Sequence, residues 1–259
     1  MTTQISRRRF LGMAGIGLLG SLTFPFACQP KQSRPNILFI MADDHTSQAI
    51  SSYDSRLKEF AHTENIDRIG EEGVLLSNCF CTNAICVPSR ASILTGQYSH
   101  VNNVYTLSDE LDPTTNHVGH LLQDVGYQTV LIGKWHLKTE PTGFDYWNVL
   151  PGQGRYHDPV LQEKNNGEKT YQGYSTDVIT QLSLDWLEQR DKSKPFVLMT
   201  HYKNAHGRWE YPARNRDLYQ DSTIPEPKSL WEDKNHRSPG SKNYGYTISE
   251  TQRNRMTSP

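Results

Sequence analysis

The chain has 259 residues, enough for one large domain or two small ones, and its 27 basic and 28 acidic side chains leave a formal net charge of -1. This balance gives no sign of a surface built for polyanions, so we expect no nucleic-acid partner. Intrinsic disorder is not indicated either, because the composition typical of disorder includes a high net charge, which is absent here. Leu, Ile, Val and Phe number 55, of which only four lie beyond residue 206. We therefore expect a folded core within the first 206 residues, followed by a polar segment.

The first 28 residues have the pattern of an export signal. Arginines at positions 7–9 precede an uncharged run over residues 10–27, which is the order of a charged region and an apolar region. Twin arginines followed by x-Phe-Leu favour the twin-arginine route. The run of 18 residues is short for a helix that crosses a bilayer, which needs about 20. We expect an exported protein in the periplasm or at the cell surface, with Cys28 as a candidate for a lipid anchor.

Three more cysteines follow, Cys79, Cys81 and Cys86. An odd number is unusual in an oxidising compartment, where disulfides use cysteines in pairs. At least one of them is therefore expected to serve another purpose. Cys79 and Cys81 are two positions apart and would face the same side of a strand, so we predict that they are buried.

Helical and strand-like segments alternate along the chain. Such alternation predicts an α/β fold with a mainly parallel central sheet and helices on both of its faces. The strands are expected at residues 35–41, 74–81, 127–132 and 196–200, and the helices at residues 63–73, 88–95, 117–125 and 176–190.

Charged and polar side chains follow three of the predicted strands. In a parallel sheet, ligands bind beyond the carboxyl ends of the strands, which meet at one edge. We expect a functional site at this edge. The side chains concerned are Asp43 and Asp44, Lys134 and His136, and His201 and His206.

Asp43 and Asp44 are candidate ligands of a divalent cation. Adjacent carboxylates repel each other, which is tolerable where a cation or a proton holds them. Carboxylate oxygens are the ligands that Ca²⁺ and Mg²⁺ prefer. On its own, however, an Asp-Asp pair fits a solvated acidic turn more often than a metal site.

The segment over residues 86–96 reads Cys-Val-Pro-Ser-Arg-Ala-Ser-Ile-Leu-Thr-Gly. It places Cys86 just before a helix that has Pro88 in its first turn, where backbone N–H groups and the helix dipole favour anions. Arg90 would add a guanidinium on the same turn. The pattern suits a site for a tetrahedral oxyanion, although a buried cysteine beside a capped helix fits it too.

Four ordered blocks of sequence resemble the type I sulfatases of the alkaline phosphatase superfamily. The most specific block is Cys-x-Pro-Ser-Arg followed by x-x-Ile-x-Thr-Gly, at residues 86–96. The other blocks are Pro-Asn-Ile-Leu-Phe-Ile-Met-Ala-Asp-Asp at 35–44, Gly-Lys-Trp-His at 133–136, and Pro-Phe-Val-Leu at 195–198, which leads on to His206. The resemblance spans about residues 34–212 and implies an alkaline-phosphatase-like fold.

The resemblance implies a modified residue at position 86 and a metal ion. Cys86 would be oxidised to formylglycine by a formylglycine-generating or sulfatase-maturing enzyme, and the hydrated aldehyde would supply the oxygen that takes the sulfuryl group. Asp43 and Asp44 would hold a divalent cation, usually Ca²⁺ in this family and alternatively Mg²⁺. The oxygen at position 86 would bind the same cation.

Four further residues receive roles from the resemblance. Arg90 would orient the hydrate, and Lys134 would contact the sulfate and neutralise developing charge. His136 would remove the proton whose loss regenerates the aldehyde, and its intrinsic pKa suits this task. His206 would act as the general acid near the leaving-group oxygen.

The resemblance also points to a substrate class. The aromatic stretch over residues 144–157 looks like segments of bacterial sulfatases that act on glycosaminoglycan or mucin sugars, N-acetylglucosamine 6-sulfate among them. A sulfated glycan is therefore the expected partner, although the same aromatic side chains could simply pack in the core. His45 and His201 are interpreted as supporting or surface residues, and the remaining histidines as structural.

The chain departs from the family pattern after His206. The family adds an Asp, a neighbouring Asn or Gln, and a further Lys from later segments, and then a small C-terminal domain, none of which we find here. We therefore interpret residues 34–206 as the N-terminal part of a sulfatase catalytic domain and residues 207–259 as a polar, incomplete segment. A chain truncated in this way is expected to be inactive on its own, poorly stable, and left with an open sheet edge.

Two other functions remain compatible with these residues. A phosphomonoesterase or phosphonate hydrolase of the same superfamily would also bind a tetrahedral oxyanion, but these relatives commonly use an unmodified Thr or Ser where Cys86 stands. An inactive surface lipoprotein that only binds sulfated glycans is the second alternative. Mass spectrometry of residue 86 separates the first, and glycan binding without turnover would favour the second.

Overall fold

The computed structural model describes residues 34–230 and 238–242. The chain divides into two units, Met1–Asn36 and Ile37–Pro259, and the elements given below belong to the second. The expected export signal and the lipid site at Cys28 lie outside the described residues. In the part of the chain that is described, no helix has both the length and the apolar character needed to cross a bilayer.

A mixed sheet of six strands forms the centre of the described chain. From one edge to the other the order is β1-β6-β2-β3-β4-β5. Neighbours among β1, β6, β2 and β3 run parallel, whereas β4 and β5 form an antiparallel hairpin beside β3. The bounds are β1 Ile37–Met41, β2 Gln128–Lys134, β3 Tyr146–Leu150, β4 Val160–Glu163, β5 Gly167–Thr170 and β6 Phe196–His201.

The helices alternate with the strands and are mostly short. Two 3-10 turns cover Ser47–Ala49 and Ala213–Asn215. The α-helices of the described residues are α1 Glu64–Glu72, α2 Cys86–Thr95, α3 Ser99–Asn102, α4 Val118–Asp124, α5 Ser175–Gln189 and α6 Pro239–Lys242.

Both faces of the sheet are covered, and β2 shows why. Val130 and Ile132 point to one face and pack with Ile179 of α5, while Leu131 points to the other and belongs to the cluster of Ala91 from α2. All five side chains are fully buried. A strand with helices on each side needs an unbroken apolar run, which β2 has. The expected parallel sheet with helices on both faces is thereby confirmed.

The predicted helices are confirmed with small shifts of their ends. Helix α1 begins directly after Thr63 and ends before Gly73. Helix α2 begins at Cys86, two residues earlier than expected, with Pro88 in its first turn, and ends at Gly96, which adopts a φ of 66°. A left-handed residue at this position is the usual end of a helix, and glycine adopts it without steric penalty.

The strand predicted over residues 74–81 is wrong. This segment forms no strand, and its apolar side chains are exposed, with Val74 at 75% and Phe80 at 87%. Cys79 and Cys81, expected to be buried, are exposed free thiols. Strand propensity reflects packing against paired neighbours, and within the described residues this segment pairs with none.

Two further differences concern the edges of the sheet. The apolar run over residues 35–41 predicts a buried strand, and this prediction is wrong, because β1 pairs only with β6 in the described chain and leaves Leu38 and Ile40 about half exposed. The hairpin of β4 and β5 was not predicted, since each strand has only four residues and β5 is entirely polar. Its turn nevertheless carries a local signal, with Asn165 and Gly167 both at positive φ.

Gly133 lets β2 and β6 approach each other beside the expected site. It adopts a φ of 105° and is paired with His201, and a Cβ at this position would lie 1.9 Å from the carbonyl oxygen of His201. No side chain can be accommodated there without moving a backbone. Glycine is therefore required at this position by sterics.

We predict that Gly133→Ala destabilises the chain far more than a glycine substitution without a clash. The expected loss is about 4 kcal/mol or more in the free energy of unfolding, measured by denaturant titration. The control is Gly167→Ala, because Gly167 also has a positive φ, of 77°, but has open space around it. The control should lose only about 1–2 kcal/mol. Equal losses in the two variants would contradict the steric account.

His117 caps α4 with an uncharged ring. The side chain is 2% exposed, and its Nδ1 accepts a hydrogen bond of 3.1 Å from the backbone N–H of Gly119. Burial and the neighbouring ring of His120 lower the pKa of His117 to about 4. A protonated Nδ1 could not accept this bond, so folding requires the neutral form.

Acidification should therefore weaken the fold through His117. Between its ordinary pKa of 6.5 and the folded value of about 4, the unfolded chain binds a proton that the folded chain excludes, so stability falls as the pH drops through this window. We predict that His117→Asn, which keeps a capping oxygen but does not titrate, loses less stability than the wild type between about pH 7 and pH 5. Denaturant midpoints at the two pH values measure this difference, and identical losses would contradict the prediction.

Candidate active site

The carboxyl ends of three parallel strands bring the predicted site residues to one edge of the sheet. The register aligns Met41 of β1 with His201 of β6, and His201 with Gly133 of β2. Side chains just beyond these positions must lie side by side. This alignment places Asp43 next to Lys134, and it is the topological reason for the whole site.

A buried cluster of charges holds this edge together. Lys134 is fully buried, and its Nζ donates to the Asp43 carboxylate and to Gln153 Oε1, the latter at 2.6 Å. Arg90 Nη2 lies 3.7 Å from the same Asp43 oxygen. One buried carboxylate thus faces two cations. A pair of this kind is strongly destabilising to break, because the remaining charge is left buried without a partner.

Arg90 and His201 are fixed by the end of β2. Arg90, 3% exposed, donates from Nη1 to the Lys134 carbonyl at 2.6 Å. His201 Nδ1 lies 3.2 Å from that carbonyl and 3.5 Å from Arg90 Nη1. Burial and the charge of Arg90 lower the pKa of His201 to about 3, so its ring is neutral. His201 was expected to be a supporting or surface residue. The structure shows it buried, in contact with Arg90 and the Lys134 carbonyl, which fits a supporting role.

Cys86 opens α2 and faces the same cluster. It lines a cavity of about 380 Å³ together with Asp43, Asp44 and Arg90. The N-terminal N–H groups of a helix favour an anion in this position. The sequence pattern that suggested an oxyanion site therefore corresponds to a concave space of adequate size.

His136 and His206 complete the group. Burial, followed by the charges of Lys134 and Arg90, lowers the pKa of His136 to about 4, so this ring is neutral at pH 7 and a weaker base than its intrinsic pKa suggested. His206 Nε2 lies 3.9 Å from an Asp44 carboxylate oxygen. The Tyr156 hydroxyl donates to the backbone carbonyl of His206 and fixes its loop.

Two residues at the edge adopt conformations that are rare outside glycine. Asp44 has a φ of 56° and His136 a φ of 59°. Such backbone strain costs on the order of 1–3 kcal/mol and persists where the surroundings hold it, often at functional sites. Both residues belong to the group predicted from the sequence.

The described residues supply only part of the ligands that a cation site needs. Asp43 and Asp44 offer hard oxygen ligands on one cavity, which fits Ca²⁺ or Mg²⁺ in chemical type. Within residues 34–230 and 238–242, however, three or more His, Cys, Asp or Glu side chains nowhere converge as metal ligands. Since Ca²⁺ takes about 6–8 oxygen ligands, the pair can supply only part of the coordination.

Sequence reasoning missed two side chains that the structure adds to this region. Gln153 accepts from Lys134, and Lys203 is buried in the loop after β6. Gln153 lies in the turn Gly152-Gln153-Gly154, a short glycine-rich loop that could have been interpreted as a close approach to the site. Lys203 had no signal of its own, because a lysine in a polar loop is usually solvated.

We predict that Asp43→Ala lowers the free energy of unfolding by about 3–5 kcal/mol, because it leaves the Lys134 ammonium buried without a carboxylate. Asp177→Ala is the matched control, since it removes the carboxylate of an exposed pair with Arg214 at 2.7 Å. The control should lose about 1 kcal/mol or less. Denaturant titration of both variants measures the difference. Equal losses would mean that the buried pair does not stabilise the strand ends.

Comparison with known proteins agrees with this arrangement. The family model described as Sulfatase matches residues 35–253. The chain is 41% identical over 241 residues to N-acetylglucosamine-6-O-sulfatase of Bacteroides thetaiotaomicron, covering 90% of this chain and 42% of that protein. It is 28% identical over 237 residues to human N-acetylglucosamine-6-sulfatase, covering 82% of this chain and 42% of that protein.

A solved structure extends the similarity to three dimensions. A protein in complex with its substrate D-glucosamine-2-N,6-O-disulfate is 43% identical, with a TM-score of 0.76, and the match covers 80% of this chain and 42% of that one. This chain thus spans less than half the length of the relatives it matches. The expected alkaline-phosphatase-like fold and the resemblance to type I sulfatases are confirmed. With a family model that extends over residues 35–253, the chain belongs to the sulfatase family.

Proposed function

We propose that the protein is a sulfuric ester hydrolase that removes sulfate from a sulfated carbohydrate, with the 6-O-sulfate of a glucosamine-type sugar as its target. The observation that carries the proposal is the shared cavity of Cys86, Asp43, Asp44 and Arg90. The similarity to two N-acetylglucosamine-6-sulfatases and to the protein bound to a disulfated glucosamine supports the substrate class.

Cys86 is proposed as the precursor of the nucleophile. A sulfatase-maturing or formylglycine-generating enzyme would convert its thiol to an aldehyde, whose hydrate supplies the attacking oxygen. The chain contributes the surroundings: the N-terminal N–H groups of α2 favour a negative charge at this position, and Arg90 lines the same cavity with a fixed guanidinium. Of the thiols in the described chain, Cys86 alone combines a helix N-terminus with a wall shared with Asp43 and Asp44.

Asp43 and Asp44 are proposed to hold the divalent cation, Ca²⁺ or alternatively Mg²⁺. When bound, such an ion supplies Lewis acidity and neutralises negative charge on the reacting groups. The protein's own contribution is to keep two carboxylates together, which Lys134 and Arg90 make possible by neutralising Asp43. Further oxygen ligands would come from outside the described residues.

Lys134, His136 and His206 are proposed to act on charge and protons. Lys134 is held rigidly by Asp43 and Gln153 and presents a fixed positive charge where negative charge develops. His136 is neutral at pH 7 and can take a proton from the nucleophile after transfer. His206, which its loop holds near Asp44, is proposed to protonate the leaving oxygen of the sugar.

Export to the periplasm or the cell surface remains a proposal that rests on the pattern of residues 1–28. The same holds for a lipid anchor at Cys28. Both fit a protein that meets sulfated glycans outside the cytoplasm, and the arginines at positions 7–9 carry the signal.

The proposal predicts that residue 86 carries an aldehyde after co-expression with a sulfatase-maturing enzyme, as measured by mass spectrometry of its tryptic peptide. The full-length protein should then release sulfate from N-acetylglucosamine 6-sulfate, and Cys86→Ala should lower the rate by about 10³-fold or more.

Cys79→Ala is the matched control, because Cys79 is an exposed thiol that does not line the cavity of Cys86. It should neither carry an aldehyde in the wild type nor affect sulfate release when replaced. An unmodified thiol at position 86, together with sulfate release that survives Cys86→Ala, would overturn the proposed role of this residue.

A further inference from the structure

A second cavity lies beside the candidate active site. It measures about 610 Å³, within the range of small-molecule sites, and it is formed by the loops that follow β3 and β6. Gln153 and His206 line it, and both belong to the site described above. A sugar whose sulfate lies at Lys134 could therefore extend into this cavity.

Lys203 is the unusual residue of this cavity. It is 5% exposed, and it forms no salt bridge with any carboxylate of residues 34–230 and 238–242. The Lys203 ammonium lies over the face of the Tyr156 ring, with Nζ 4.6 Å from the ring centroid. A cation over an aromatic ring gains about 0.5–2 kcal/mol, which is less than the cost of burying an ammonium away from an anion.

The electrostatics around Lys203 point the same way. Burial, and then the nearby charge of Lys134, lower the pKa of Lys203 by more than the carboxylates of Asp43 and Glu210 raise it, which means that its charged form is held at a cost. The charged form of a buried group that makes no ion pair becomes favourable when an anion binds next to it. Lys203 lines this cavity, so an anion bound there would lie next to it.

The rim of the cavity adds two more cations. Arg155 and Arg208 line it and are exposed, and neither forms a salt bridge among the described residues. Glu210 is the single acidic side chain of the lining. With Lys203, three cations face one carboxylate, so the cavity carries an excess of positive charge that an anion would neutralise.

We propose that this cavity binds a second anionic group of the sulfated sugar, a sulfate or a carboxylate other than the ester that is cleaved. Lys203 is its buried partner, and Arg155 and Arg208 contact it from the rim. The inference rests on the proposed function, because it takes the ligand to be a sulfated sugar. It makes the preferred substrate a sugar with at least two negative groups.

The test compares the binding of two probes by calorimetry: glucosamine 2-N,6-O-disulfate, with two sulfate groups, and N-acetylglucosamine 6-sulfate, with one. The wild type should bind the disulfate about 10–100-fold more tightly, the gain expected from one charge-assisted hydrogen bond. Lys203→Met and Arg155→Gln should each reduce this ratio of dissociation constants toward 1. A disaccharide of N-acetylglucosamine 6-sulfate and a hexuronate tests whether a carboxylate from a neighbouring sugar serves as the second anion.

Lys169→Met is the matched control, because Lys169 also lies over a tyrosine ring, with Nζ 4.8 Å from the Tyr171 centroid, but is exposed and outside the cavity. Its replacement should leave the ratio unchanged. Stability provides a second readout. Lys203→Met should not lower the denaturant midpoint, because it removes a buried charge that forms no ion pair. If Lys203 had a structural role instead, its replacement would lower the midpoint.

The outcomes separate this inference from the proposed function. Equal binding of the singly and doubly charged sugars by the wild type, or a ratio that survives both Lys203→Met and Arg155→Gln, would overturn the second anion site even if sulfate is released. Tighter binding of the doubly charged probe that both variants abolish would support the site even if no sulfate is released, and only the proposed hydrolysis would then fail.

Discussion

The ion pair between Lys134 and Asp43 is the interaction on which the site depends. It joins the end of β2 to the turn after β1, and both partners are removed from water. Arg90 adds a second cation and ties α2 to the same strand end through the Lys134 carbonyl. Three elements far apart in sequence are thereby fixed around one carboxylate. Removing either partner would leave the other charge buried without compensation. The positions of all three elements at this edge therefore depend on one another.

The backbone makes this pairing possible. Parallel neighbours align their carboxyl ends, and Gly133 allows β2 to pass close to the carbonyl of His201. Within the part of the chain that the structure describes, the fully buried Lys134 ammonium then has the Asp43 carboxylate and the Gln153 amide as its hydrogen-bond partners. The same low-dielectric surroundings keep His136 neutral, so that a proton acceptor and a fixed cation coexist within one site.

Much of this arrangement can be predicted from local sequence patterns. The helix that begins at Cys86 could be predicted from Pro88 and Gly96, and the common edge from polar residues that follow apolar strands. These patterns are short-range and depend on backbone geometry. The prediction of a strand at 74–81 was wrong because strand formation depends on a partner distant in sequence, which composition does not reveal.

The features that escaped the sequence are those set by tertiary contact. Lys203 in a polar loop has the composition of a solvated residue, and only the fold buries it against Tyr156. In the sequence His201 is one more histidine at a strand end, and only the structure shows its ring beside both Arg90 and the Lys134 carbonyl. Both residues become part of the site because tertiary contacts with residues distant in sequence bury them.

The most direct measurement is a crystal structure of the protein with residue 86 in its mature form and a 6-O-sulfated glucosamine bound. The account predicts that the sulfate lies between residue 86 and the Lys134 ammonium, with His206 on the side of the sugar oxygen. A sulfate bound elsewhere, with residue 86 turned away from Asp43 and Asp44, would contradict it.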